Sequence, residues 1–237
     1  MDYNLKKFEE GLDRLSLSLS ENQIRQFLTY YEMLVEKNKV MNLTAITEFD
    51  EVIEKHFLDS LSLCQVYDLT KEVKILDMGT GAGFPGIPLK IAFPDINLVL
   101  ADSLNKRILF LDEVIDALKL EKIETVHGRA EELGRDKNYR EQFDLVVSRA
   151  VANLSSLGEY CIPFVKQGGN FISYKSGDIE EEVVNAKNAV FLLGGKIKDV
   201  YKFDLYEQKR SFVIIEKVKG TPKVYPRKAG TPTKMPL

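Results

Sequence analysis

Asp77, glycines 79, 81 and 83, and Asp102 are the residues of this 237-residue chain whose types and spacing best suit chemistry. The glycines alternate through Gly79-Thr80-Gly81-Ala82-Gly83, directly after a run in which Val73, Ile75 and Leu76 are apolar. Glycine admits positive φ and carries no Cβ, so a ligand can lie against the backbone. Pro85 and Pro88 follow, where a first helical turn tolerates a missing N–H. A helix N-terminus behind such a loop attracts negative or polar groups. Strand, glycine turn and helix start together suit a cofactor with an acidic or polar end.

Two cofactors compete for the loop. Gly81, Gly83 and Gly86 satisfy G-x-G-x-x-G, the dinucleotide fingerprint. Asp77 followed by G-x-G-x-G from Gly79 fits the S-adenosylmethionine methyltransferase pattern, in which the acid faces the cofactor's ammonium or a water beside it. A glycine turn that only packs a helix on a strand is the plainer alternative. Asp102 stands 19 residues after Gly83. A carboxylate there can accept both ribose hydroxyls of an adenosine cofactor, or cap a helix before Leu104. A hairpin ending the domain favours the methyltransferase, because dehydrogenase halves extend by parallel units. An NAD(P)-dependent oxidoreductase and a non-catalytic nucleotide-binding regulatory module stay open as alternatives.

The elements that must position these residues follow from periodicity. Leu5, Phe8, Leu12 and Leu15 recur at helical spacing. Ser20-Glu-Asn-Gln23 is a capping box, and Ile24, Phe27, Leu28, Tyr31, Leu34 and Val35 stripe the helix behind it. After a loop at 38–47, a third helix runs to about Asp68 with Val52, Ile53, Phe57, Leu58, Leu61 and Cys64 inward. Residues 1–70 are therefore predicted to form a small helical cap. Residues 71–219 alternate strand and helix, with strands at 97–102, 123–127, 143–148 and 169–175 and two final strands at 197–205 and 211–218. This predicts a doubly wound α/β sheet, mostly parallel, with an antiparallel last strand. Residues 220–237 contain four prolines and are predicted to be an extended tail.

Composition sets bounds. Apolar content of 44% and charged content of 29% are ordinary for a globular chain. Cys64 and Cys161 suggest neither a disulfide framework nor a metal site. No membrane-spanning run or signal-peptide core is visible, so a cytoplasmic location is the default, and a monomer is expected. The net charge of −3 conceals an asymmetry. Residues 1–70 hold 7 basic and 13 acidic side chains, whereas residues 217–237 hold six basic side chains and no acid. In the tail, Lys223, Arg227, Lys228 and Lys234 suit a phosphate track, although a solvated terminus is the plainer alternative.

Asp77 to Pro88, Asp102-Ser-Leu-Asn-Lys-Arg-Ile-Leu-Phe-Leu111, His127-Gly-Arg-Ala-Glu131, Ser148-Arg149-Ala150 and Tyr225 to Leu237 together resemble the bacterial RsmG family, also called glucose-inhibited division protein B. Asn42-Leu-Thr-Ala-Ile46 and His56-Phe-Leu-Asp-Ser60 match its N-terminal signature, so the resemblance spans almost the whole chain. Ser176 departs from the glycine expected after Lys175. The resemblance implies a Rossmann-like class I fold, S-adenosylmethionine as cofactor, and methylation of guanine N7 in 16S ribosomal RNA. It maps Gly79, Phe84, Ala130, Glu131 and Arg149 onto cofactor positions and implies that Asn42 and Thr44 face the cofactor mouth.

The residues agree with that chemistry. Guanine N7 carries an in-plane lone pair, so no proton must be removed and positioning can supply most of the rate. The chain lacks the Asn/Asp-Pro-Pro-aromatic motif of exocyclic-amine methyltransferases after its fourth strand and has Ser148-Arg149-Ala150-Val151 instead. The Arg149 fork suits the cofactor carboxylate first, then an RNA phosphate or guanine O6, with an ion pair to an acid such as Glu131 as the structural alternative. His56, among apolar neighbours, reads as a satisfied cap histidine, and Cys161 as core. His127 suits either the adenine site or backbone packing. Of Lys106 and Arg107, at least one reads as a solvated face.

Overall fold

The computed structural model describes residues 3–149 and 152–237. The N-terminal helices are α1 (Lys6–Arg14) and α2 (Glu21–Met41). Ser20 and Gln23 close the expected capping box, and the Gln23 amide also donates to the carbonyls of Ile91 and Ala92 (2.8 and 3.1 Å), joining the cap to the sheet layer. The third predicted helix is a composite: α3 (Phe49–Val52), a π-helical segment (Ile53–Leu58), α4 (Asp59–Leu61) and a 3₁₀ turn (Ser62–Gln65). Single π turns inside helices frequently mark functional sites, and this one carries His56 just ahead of Asp59.

The sheet and its helices follow as β1 (Lys74–Met78), α5 (Gly86–Ala92), β2 (Asn97–Asp102), α6 (Asn105–Leu118), β3 (Ile123–His127), α7 (Ala130–Leu133), β4 (Phe143–Ser148), α8 (Leu154–Cys161), β5 (Val165–Ser176), α9 (Glu180–Leu192), β6 (Gly195–Leu205) and β7 (Gln208–Lys217). Strand order is β3-β2-β1-β4-β5-β7-β6. The first five strands are parallel, and β7 runs antiparallel between β5 and β6. Strands β1 and β4 are apolar on both faces because helices cover both, as a parallel sheet requires. The order reverses between β1 and β4, where open α/β sheets bind ligands beyond the strand ends.

The cap shares the sheet's core. Phe8, Phe27, Tyr30 and Phe57 form one apolar cluster with Ile75, Leu100 and Leu145. The expectation for residues 220–237 needs correction, because this segment is folded against the sheet layer. Thr221, Pro226 and Pro232 are buried, and the chain ends with α10 (Thr231–Lys234). The Arg140 guanidinium donates to the carbonyls of Tyr225 and Thr221 (2.9 and 2.7 Å). Prolines without N–H donors left carbonyls to satisfy, and a distant arginine takes them.

Candidate functional site

Two recesses lie along the carboxyl edge of the sheet, one on each side of the switch point. The first, about 290 Å³, brings together Gly79, Asp102, Ala130 and Glu131 from the expected cofactor set, without Asp77, Gly81 or Gly83, and is also lined by Leu157, Tyr160, Gly230 and Thr233. The sequence offered no signal for these last four, which arrive from α8 and the folded tail. Gly79, Gly81 and Gly83 adopt φ of 73°, 63° and 107°, and a Cβ on Gly81 would meet nothing within 4 Å.

The two aspartates shape the loop from opposite sides. Asp77 lies beneath it, fully buried, where its Oδ2 accepts from Thr80 Oγ1 (2.7 Å) and from Gly86 N (2.9 Å). Its Oδ1 is buried with no hydrogen-bond partner, and burial raises the carboxyl to about 7. The structure thus gives Asp77 the job of anchoring the first turn of α5, with one oxygen still unsatisfied. Asp102 accepts from Gly81 N (3.0 Å), Leu104 N (2.9 Å) and Arg107 Nη1 (3.2 Å). It fastens the chain just before α6, whose N-cap is Leu104 with no side-chain cap bond, and it also lines the recess. Arg107 therefore has a partner, while Lys106 is exposed. Glu131 Oε1 accepts from Gly230 N (2.9 Å), which fastens the tail across the recess. His127 Nε2 meets the Ser103 carbonyl (3.1 Å), a packing contact.

Phe84 and Arg149 separate from this group. Phe84 stacks on His56, with ring centroids 4.5 Å apart, and the Arg149 guanidinium carbon lies 5.0 Å from the Phe84 ring centre. Arg149 Nη1 donates to Asp59 Oδ2 and to the Lys55 carbonyl, both at 3.0 Å. The ion pair imagined with Glu131 is made with Asp59 instead, because β4 ends facing the cap. His56 Nε2 lies 2.9 Å from Thr44 Oγ1, and its Nδ1 lies 3.1 Å from Arg149 Nη2. Burial first, then the Arg149 charge, lowers the imidazole to about 3. His56 is therefore neutral, as a satisfied cap histidine should be, and it joins the Thr44 loop to Arg149. Asn42 ends α2 in the left-handed region. Ala150 and Val151 lie outside the described residues.

The second recess, about 810 Å³, opens on the far side of Arg149. The cap supplies Lys55, His56 and Asp59; β5 and β7 supply Tyr174, Lys175, Arg210 and Ser211. Its charged lining is Lys55, Arg149, Lys175 and Arg210 against Asp59 and Glu182. The first recess carries Asp102 and Glu131 against Arg129. One side of the switch point is thus acidic and the other basic. In the tail, Lys223, Lys228 and Lys234 are exposed, whereas Arg227 is bound to the fully buried Glu159 (Nη2 to Oε2, 2.7 Å). Glu159 was missed, although it is the only charged residue between Leu154 and Val165.

Residues 23–213 match the family model described as "GidB: rRNA small subunit methyltransferase G". The chain belongs to this family. Ribosomal RNA small subunit methyltransferase G of Lachnoclostridium phytofermentans is 56% identical over 97% of this chain and 96% of its own length. The protein of that name from Alkaliphilus metalliredigens is 52% identical over 97% of each chain. The fold also resembles a mutant form of the 16S rRNA (adenine(1408)-N(1))-methyltransferase from Catenulisporales acidiphilia, with a TM-score of 0.54 at 17% identity over 65% of this chain and 88% of that one. The architecture is that of Rossmann-like class I methyltransferases, and the cofactor of this GidB-family protein is S-adenosylmethionine. The first recess fits that group. Its walls offer two carboxylates, Asp102 and Glu131, to a sugar's hydroxyl donors. No helix among the described residues is long and apolar enough to cross a membrane.

Proposed function

We propose that the protein methylates N7 of a guanine in 16S ribosomal RNA, within the cytoplasm, on free RNA or on the small subunit. The observation that carries this reading is the two-sided strand edge, acidic beside the glycine loop and basic beside the cap. Bound S-adenosylmethionine would supply an electrophilic methyl group. Gly79, Asp102, Ala130 and Glu131 would hold its nucleoside, and Arg149, which lines the larger cleft, would stand on the RNA side. The smaller recess suits one nucleoside rather than the two of a dinucleotide, which supports this reading over the oxidoreductase.

The bases that line the cleft are already engaged, Glu182 by Lys175 Nζ and Leu154 N. His56 is pulled to about 3, and Asp59 already accepts from two guanidinium groups. A base tuned far from working pH transfers protons badly. That suits N7, whose lone pair needs no deprotonation, and not an exocyclic amine. Specific RNA reading targets unstacked bases, so the guanine is expected in a loop or flipped out. Labelled methyl transfer to 16S RNA and to small subunits from cells lacking the protein should yield 7-methylguanosine on nucleoside analysis. Methyl on another atom, or binding of NAD in place of S-adenosylhomocysteine on titration, would discard the reading.

The tail lysines supply a second expectation. Lys223, Lys228 and Lys234 project to solvent, so neutralising them should spare the fold. If each meets a single-strand phosphate, the triple alanine variant should lower the slope of log affinity against log salt by about 2, at roughly 0.7 per contact. An unchanged slope, with unchanged melting, would leave these lysines a solvating role. Deleting residues 222–237 would be a poor substitute, because it also removes the wall formed by Gly230 and Thr233.

A further inference from the structure

The basic cleft contains a second guanidinium that the cofactor reading leaves without work. Asp59, on the cap, is buried, and its two oxygens are divided between two strands. Oδ2 accepts from Arg149 Nη1 at the end of β4 (3.0 Å), and Oδ1 accepts from Arg210 Nε on β7 (2.8 Å). Arg210 Nη2 donates to Gln208, and its Nη1 makes no hydrogen bond to any described residue. A guanidinium fixed through Nε and one Nη presents its remaining N–H groups in a known direction, the arrangement that favours phosphate binding. Lys55, Arg149 and Lys175 line the same cleft, so its charge favours a phosphate over a cation.

We propose that Arg210, positioned by Asp59, binds an RNA phosphodiester beside the target nucleotide. The inference rests on the RNA methyltransferase reading and adds the contact that seats the substrate. The Asp59 bridge lets one carboxylate orient Arg149, beside Phe84, and Arg210, deeper in the cleft. Arg210 would be a substrate-contacting residue, and Asp59 a positioning residue.

The test uses the full chain with 16S RNA transcripts and small subunits. RNA binding is followed by fluorescence anisotropy over a salt series, and methyl transfer is resolved into kcat and KM. Arg210→Ala should weaken RNA binding and raise KM at least about tenfold, as expected for loss of a charge-assisted bond. It should lower the salt slope by about 0.7, leaving S-adenosylhomocysteine affinity within about twofold of wild type. Arg210→Lys should keep the salt slope and lose part of the affinity, since charge remains and the fork does not. Asp59→Asn should raise KM while the slope stays, because both arginines remain charged. If Arg210→Ala lowers the melting temperature but leaves RNA affinity and slope as in wild type, Arg210 is only a strut between cap and sheet and the proposal falls. Because binding is read apart from methyl transfer, failure of the N7 chemistry would show separately, as wild-type binding without 7-methylguanosine.

Discussion

Gly83→Ala is expected to destabilise the protein by about 3–5 kcal/mol, adding overpacking to a positive-φ penalty. Gly83 has φ of 107°, outside the range a side chain readily accepts. A Cβ there would lie 2.7 Å from Ile87 Cγ1, 2.7 Å from Tyr30 Oη and 2.9 Å from Leu111 Cδ2. None of the three can retreat freely. Ile87 and Leu111 are fully buried, and the Tyr30 hydroxyl is committed to the Ala82 carbonyl at 2.6 Å. Moving Tyr30 would break the bond by which the cap holds the glycine loop, so cofactor affinity should fall with stability. Gly81→Ala is the control. It shares the positive φ (63°) but a Cβ there has nothing within 4 Å, so its cost should stay near the ~1–2 kcal/mol of left-handed strain alone. Urea unfolding of both variants decides the matter. Equal costs would mean that the loop is not clamped by the cap.

That contrast also shows what a sequence can and cannot disclose. The glycine spacing is a local pattern, and it located the loop; that Gly83 differs from Gly81 depends on Tyr30, 53 residues earlier, and on Leu111. Strands β1 to β4 were legible because fully buried parallel strands are short apolar runs. The antiparallel end was legible as a hairpin, though β5 begins at Val165, earlier than its apolar content suggests. The cap helix was read as regular because its inward residues keep helical spacing; the π segment changes hydrogen bonding rather than composition. At the site, Gly79, Asp102, Ala130 and Glu131 converge as expected, since each ends or follows a parallel strand. Arg149 was seen, but its partner was not, because Asp59 lies 90 residues away in a helix whose amphipathic pattern hides one inward acid. Arg210 was passed over for the same reason: a cation in a hairpin turn looks solvated until the cap is placed above it.

The tail carried the largest misreading, and it makes the sharpest remaining test. Arg227→Ala should lower the melting temperature by about 10 °C, whereas Lys228→Ala, one residue on, should leave it nearly unchanged. Composition treats these two cations alike. In the structure, Lys228 is exposed, while Arg227 holds Glu159 through its backbone N (2.6 Å), Nε (3.0 Å) and Nη2 (2.7 Å). Glu159 is fully buried in α8, between Leu157 and Cys161 of the apolar core. Bonding to Glu159 is also the main reason that Arg227 holds its proton more tightly than usual. Removing one partner of a buried pair strands the other charge and costs about 3–5 kcal/mol, with roughly 2–4 °C lost per kcal/mol in a chain of this size. The double variant Arg227→Met with Glu159→Gln should recover much of that loss, since no charge is then stranded. Salt gives an independent reading: an RNA-contacting Arg227 would lower the affinity slope and spare stability, the reverse of the expectation here. Because α10 and Gly230 follow directly, loosening Arg227 should also free the strap across the cofactor recess and weaken S-adenosylhomocysteine binding, while Lys228→Ala changes RNA binding alone.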